Sequence, residues 1–196
     1  MITMKIILAS GSPRRKELLK QAGFDFEVEP SLIDEISQQK EPGKIVEELS
    51  RIKALDIAGR HIDEDVLIIG SDTLVFYRDY VLGKPVDEAD AYEMIERIQG
   101  KEHFVYTGVT LVEQTKSVQK VSSFHEGTKV QVESMTKEQI MAYIATGEPM
   151  DKAGAYAIQG LFAPYIKGIT GYFSTVVGFP IERVVKELEK RGIISE

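Results

Sequence analysis

The sequence contains no cysteine, which excludes disulfides, thiolate catalysis and cysteine-ligated zinc together. Histidine is scarce: His61, His103 and His125 are the three present, and none stands at metal-ligand spacing, so an imidazole zinc centre is not expected. No apolar run approaches the roughly 20 residues of a membrane span, and the stretch Ile6–Ala9 is too short for a signal h-region. A soluble, cytoplasmic protein without a membrane partner is therefore the expectation. Positive charge is in deficit, with 24 Lys and Arg against 31 Asp and Glu and a formal net charge of −7. A broad surface for a nucleic acid polymer does not fit that balance, so any bound anion should be small and held in a local pocket. Internal repeats, low-complexity tracts and long linkers are absent as well.

What is present reads as one domain, or one with two lobes. The 196 residues, 43% of them hydrophobic and 28% charged, suffice for a sizeable core. Met4 offers an alternative start, so residues 1–3 carry no weight. Strand and helix patterns alternate along the chain. Lys5–Ala9 predicts a buried strand; Ser12 as N-cap and Pro13 at the first helical position open a helix that stops at Gly23, with Leu18, Leu19 and Ala22 facing inward. A strand is expected over Phe24–Glu29 and a helix over Lys44–Ala58. The stretch from Val66 then predicts an apolar strand broken at Gly70-Ser71, with a hairpin at Arg78-Asp79. Asp87 caps a helix ending near Gly100, and strands follow over Phe104–Val112 and Val118–Val132. Thr136 and Gln139 form a capping box for a helix stopping at Gly147. A last strand region over Pro164–Val177 precedes an amphipathic helix over Ile181–Lys190. The sum is an α/β domain with a mixed sheet.

The stretch LASGSPRRKE, residues 8–17, poses a problem of charge. Arg14 and Arg15 fall in the first helical turn, where the helix dipole disfavours cations. They make sense there if an anion occupies the site, because backbone N–H groups and guanidinium forks both match phosphate oxygens. A solvated helix start, with both arginines facing water, is the equal alternative. The glycine spacing and GK[ST] ending of a Walker loop are missing.

Other candidates are weaker singly. Asp72 lies where open α/β sheets place their ligand crevice, although taken alone a turn hydrogen bond is the favoured explanation. Asp34-Glu35 is a carboxylate pair beyond a predicted strand. Lys53 sits on the inner half of an apolar helical stretch, where snorkelling to the surface is the simpler expectation. Lys84 lies between Gly83 and Pro85. In the stretch 148–160, small residues at 153–155 permit close approach of backbone to a ligand, and Gln159 carries both the donor and the acceptor that reading a nucleobase edge requires; a structural loop packed against the preceding helix is the slightly preferable alternative.

Taken in order, SGSPRRKELL, IDE, RIKA, GSDT, GKP, EPMDKAGAYAIQG and GYFSTVVGFP resemble the Maf family of nucleoside triphosphate pyrophosphatases, over about Ile7 to Val185. The resemblance implies an elongated α/β fold, a mixed sheet flanked by helices in two lobes with a central cleft, related to the inosine triphosphate pyrophosphatases. It also implies a divalent metal, Mg²⁺ or Mn²⁺, and often a homodimer. Asp72 matches the family's proposed general base, and with Glu35 it would hold the metal. Arg14, Thr73 and Gln159 match positions that distinguish the subgroup acting on dTTP and UTP. Ser10, Arg15, Lys53, Lys84, Asp151 and Lys152 fall on motif positions lining the cleft, with Ser10, Arg14, Arg15, Lys53 and Lys84 expected on the phosphates. Two departures, Ser71 for alanine and Ala157 for glycine, bear on pocket detail. The expected reaction yields a nucleoside monophosphate and pyrophosphate, with a housecleaning or division-arrest role. The rival is a non-catalytic nucleotide-binding regulator of septum formation. A haloacid-dehalogenase-type phosphatase is discarded, because Gly70 stands where its first aspartate would be.

Overall fold

The computed structural model describes residues 4–34 and 36–195. Strand β1 (Lys5–Leu8) leads into helix α1 (Pro13–Gln21), followed by the short strand β2 (Glu27–Val28), helix α2 (Pro42–Ala58), the long strand β3 (Val66–Tyr77), β4 (Tyr80–Leu82) and helix α3 (Glu88–Ile98). Strands β5 (Glu102–Gln114) and β6 (Gln119–Val132), helix α4 (Lys137–Ile144), strand β7 (Ile166–Thr170) and helices α5 (Phe173–Val177) and α6 (Ile181–Glu189) complete it. The sheet runs β2-β1-β3-β5-β6-β7, with β4 on β3. Pairing is parallel at β1-β2 and β1-β3 and antiparallel at β3-β4 and β6-β7, so the α/β fold with a mixed sheet is as expected.

The residues divide into two compact units, the first comprising Met1–Asp72, Thr107–Glu126 and Gly178–Glu196, the second Thr73–Tyr106 and Gly127–Val177. In the first unit, β1 shows why a fully apolar strand forms here. Side chains alternate across a strand, so Ile6 and Leu8 join Leu19 of α1 and Val184 and Leu188 of α6 in one buried layer. Ile7 and Ala9 join Ala54, Ile57 and Ala58 of α2 in a second. Neither face reaches water, which is why the strand is continuously apolar rather than alternating. Each fully buried Leu or Ile contributes about 1.5–3 kcal/mol of transfer free energy.

Four expectations about elements need correction. The predicted break at Gly70-Ser71 does not occur, and β3 runs unbroken through both residues to Tyr77. Gly70 is there for close packing. A Cβ on it would lie 2.3 Å from the Ser50 carbonyl oxygen and 2.8 Å from the Ala54 Cβ. Gly108 of β5 does the same, since a Cβ there would lie 2.1 Å from the Val46 carbonyl oxygen. Two glycines on neighbouring strands thus make the bed on which α2 lies. The second strand shrinks to Glu27–Val28. The last predicted strand ends at Thr170 and gives way to α5, because Gly171 turns the chain with φ 125°. Ser12 is the N-cap residue of α1, but its side chain makes no capping hydrogen bond.

In the second unit α3 packs on α4. Asp87 caps α3 by accepting from the Asp90 N–H at 2.8 Å, and Thr136 and Gln139 form the expected capping box of α4. Beneath α4 lies an aromatic cluster in which Phe162 contacts Tyr143 and Tyr156, at centroid distances of 5.0 and 4.9 Å. Among the described residues no helix is long and apolar enough to cross a membrane.

Candidate active site

The first unit holds Ser10, Arg14, Arg15, Lys53 and Asp72; the second holds Thr73, Lys84, Asp151, Lys152 and Gln159. Glu35 lies outside the described residues.

In the first unit the apolar strands β1 and β3 run parallel, and their C-terminal continuations bring the polar residues together. Ser10 follows β1 directly, and Asp72 sits within β3 rather than at its end. Lys53, one turn before the end of α2, meets Asp72 because the Gly70 and Gly108 bed lets the helix press against the strands. Its Nζ lies 2.6 Å from Asp72 Oδ1, and the two side chains keep only 12% and 6% of their surface exposed. The snorkelling expected of Lys53 does not occur. An ion pair so nearly buried is weak evidence for stability, since desolvation offsets much of the attraction. Its retention beside a polar cluster is better explained by chemistry.

Arg15 answers the charge problem of the opening stretch. It does not face water. Its Nε donates to the Gly178 carbonyl at 2.8 Å and its Nη1 to Ser10 Oγ at 3.0 Å. Ser10 Oγ also accepts from the Ser12 N–H at 3.3 Å, drawing the strand-to-helix turn together. The same Gly178 carbonyl accepts from Ser71 Oγ at 3.4 Å. Ser10, Arg15, Gly178 and Ser71 therefore form one hydrogen-bonded chain, and because side chains alternate along β3 the neighbouring Asp72 faces α2 and Lys53 on the other side of the strand. Arg14, half-buried in the first turn of α1, belongs to the same unit. Two arginines beside the free backbone N–H groups of a helix start are an arrangement suited to a small anion.

In the second unit Lys84 is exposed just after β4, and the chain beside it is fixed where the Gly83 carbonyl accepts from the Gly154 N–H at 2.9 Å. Gly154 takes φ 70° and Ala155 φ 59°, and a Cβ at 154 would lie 2.8 Å from a Val75 methyl. The small residues at 153–155 thus allow a tight packing turn against β3. Lys152 pairs with Asp151 and also donates to the Glu148 carbonyl at 3.2 Å. Gln159 is exposed, on a short loop between buried Ile158 and Phe162.

Two contributors were not singled out in the sequence. The Gly178 carbonyl belongs to the quoted motif GYFSTVVGFP, but a backbone acceptor leaves no side-chain signature. Glu148 lies in the motif 148–160, and its carboxylate accepts from the Leu161 N–H at 3.1 Å; nothing in the sequence marks an acid at a loop start as the holder of an amide 13 residues on.

A metal remains to be fitted. Among the described residues no group of three or more His, Asp or Glu gathers as a metal cage. Mg²⁺ usually takes one or two carboxylates and completes its shell with water and substrate phosphates. Asp72 supplies a hard oxygen donor of that kind, so the residues present fit a cation shared with a phosphate substrate.

A model of the Maf-like protein family matches residues 5–191. A dTTP/UTP pyrophosphatase of Agathobacter rectalis is 47% identical over 201 aligned positions, covering 96% of this chain and 98% of its own length. One from Lachnoclostridium phytofermentans is 48% identical and covers 96% of each chain. One from Bacillus cereus is 46% identical over the same shares.

Proposed function

The chain belongs to the Maf-like protein family, and on that premise we propose that it hydrolyses dTTP and UTP to the monophosphate and pyrophosphate. The nearly buried Lys53–Asp72 pair carries this reading, supported by relatives named dTTP/UTP pyrophosphatase.

The mechanism follows from charge. A nucleoside triphosphate brings about four negative charges, and a water attacking phosphorus must be shielded from them. Arg14, Arg15 and the N-terminus of α1 supply fixed positive potential, and Ser10 orients the Arg15 fork. Arg15 is held by two partners before substrate arrives, so little reorganisation is needed on binding. Lys53 holds Asp72 through Oδ1 and so fixes the carboxylate plane. The carboxylate has about four lone-pair sites in all, and it takes the proton from the attacking water as general base. Asp72, with Glu35, would hold a Mg²⁺ or Mn²⁺ ion, which supplies charge neutralisation of phosphate oxygens when bound. Lys84 adds a further cation for the phosphate chain. Arg14, Thr73 and Gln159 select the base, with the Gln159 amide offering one donor and one acceptor to a pyrimidine edge. Asp151 and Lys152 set the start of the loop that carries Gln159.

The test is a panel of the common nucleoside triphosphates with purified protein, in Mg²⁺, in Mn²⁺ and in chelator. Pyrophosphate release fastest from dTTP and UTP, and abolished by chelator, is expected. Release of orthophosphate instead, or equal turnover of purine nucleotides, overturns the proposal.

A further inference from the structure

The segment 156–162 is an arch whose two feet are fastened and whose apex is Gln159. At its feet the rings of Tyr156 and Phe162 meet at 4.9 Å, with Phe162 fully buried. Tyr156 Oη is hydrogen-bonded to His103 Nε2 at 2.7 Å inside the unit. One step up each side, the backbone is held again. On one side the Ala157 N–H donates to Tyr143 Oη at 3.2 Å. On the other the Leu161 N–H donates to Glu148 Oε1 at 3.1 Å. The two holders are neighbours: burial, and after it the Glu148 carboxylate beside the ring, push the Tyr143 hydroxyl well above its ordinary pKa, so it remains protonated. Gly160, with φ 122°, lets the arch close down on that carboxylate, since a Cβ there would lie 2.2 Å from Glu148 Oε1.

The chemistry of a glutamine amide makes such anchoring consequential. Its oxygen and nitrogen ends have nearly the same shape, so a 180° turn exchanges donor and acceptor. Thymine and uracil present an acceptor and a donor where cytosine presents the reverse. A glutamine on a yielding loop can therefore serve either pattern by shifting and turning. Selection requires a fixed approach, which the backbone on either side of Gln159 must provide.

We propose that Tyr143 and Glu148 are positioning residues for base selection: by holding the Ala157 and Leu161 amides they fix the arch that presents Gln159 to a pyrimidine base. This rests on the reading that Gln159 contacts the base. It assigns the helix end at Tyr143 and the turn at Glu148 a part in specificity without contact with substrate.

The experiment measures kcat/KM for dTTP and for dCTP with wild type, Gln159→Ala, Tyr143→Phe and the double variant. Gln159→Ala should lower the dTTP preference; if it does not, the base-reading role of Gln159 fails. Given that effect, Tyr143→Phe should lower the preference about tenfold and should add nothing to it in the Gln159→Ala background. A merely structural tyrosine would reduce turnover of both nucleotides together and leave their ratio unchanged, which overturns the proposal. Glu148 provides the second arm should Tyr143→Phe not fold. Glu148→Ala should lose the preference and the hydrogen-exchange protection of the Leu161 amide, and Glu148→Gln, which keeps an acceptor, should restore both. An unchanged ratio in Glu148→Ala overturns the proposal equally.

Discussion

Lys53 Nζ and Asp72 Oδ1 are 2.6 Å apart, with almost all of both side chains withdrawn from water. Removing one partner of such a pair strands a buried charge, whereas replacing both with apolar groups does not. Lys53→Met is expected to lower unfolding free energy by up to about 3–5 kcal/mol. The double variant with Met at 53 and Leu at 72 should recover most of that loss and have no hydrolytic activity. Urea denaturation of the wild type, both single variants and the double reads this cycle. A double variant less stable than either single would show that the pair stabilises the fold outright.

Asp72→Asn separates charge from shape. The asparagine oxygen can still accept from Lys53, so the fold should survive with unchanged far-UV circular dichroism, though with lowered stability because the Lys53 charge is no longer neutralised. Without a proton acceptor, kcat for dTTP should fall by about 10²–10⁴, the usual contribution of general-base catalysis. Turnover near that of the wild type would refute the assignment of Asp72.

Arg15 is engaged by Gly178 and Ser10 through Nε and Nη1, a two-point hold that a lysine cannot reproduce. Arg15→Lys keeps the charge but loses the fork. It should raise KM for dTTP by about 10- to 100-fold, in line with the roughly 1.5–3 kcal/mol of a charge-assisted hydrogen bond, and change kcat less. An unchanged KM would reduce Arg15 to a structural clamp between the two elements.

Gly70 and Gly59 make a paired test of packing. A Cβ at Gly70 would meet the Ser50 carbonyl oxygen at 2.3 Å, whereas one at Gly59 meets nothing nearer than 3.5 Å. Gly59 also has an ordinary φ of −61° at the C-cap of α2. Gly70→Ala should cost about 1–3 kcal/mol by overpacking, and should depress dTTP turnover because α2 carries Lys53. Gly59→Ala should be neutral or stabilise by up to about 1 kcal/mol, through the unfolded chain. Thermal unfolding of the two variants distinguishes them.

These glycines also explain what the sequence revealed and what it withheld. Helix boundaries were legible at Asp87 and Thr136, where a side chain performs the capping and its spacing is local. Gly70 misled because a glycine that breaks a strand and a glycine that admits a helix are the same letter. Only the partner, α2, decides between them. Lys53 misled for the same reason: its helix shows an inward-facing lysine, but the carboxylate that receives it lies on another element. The anion site was half legible, because two arginines in a first turn conflict with the helix dipole. The Gly178 carbonyl that fixes one of them lies 163 positions further along. Nothing local points to it.

His103 gives the fold a dependence on acid. It is 1% exposed, with Nε2 hydrogen-bonded to Tyr156 Oη and Nδ1 making no hydrogen bond among the described residues. Burial pushes its pKa from 6.5 down to about 4. The unfolded chain therefore takes up a proton near pH 6.5 that the folded protein refuses until about pH 4. Stability from this group is whole above pH 6.5 and drains away as pH falls between those values. At about 1.36 kcal/mol per pKa unit the loss approaches about 3 kcal/mol. His61 works in the opposite sense. Its hydrogen bond to Glu29 raises its pKa, so its contribution is full below pH 6.5 and fades as pH rises through the raised value. Urea denaturation between pH 7 and pH 4 should show stability falling for the wild type. His103→Asn, less stable at pH 7, should lose the steepest part of that slope. A slope unchanged by the substitution would place the acid sensitivity elsewhere, on carboxylates such as Glu29 and Glu47 whose pKa values are lowered in the folded protein.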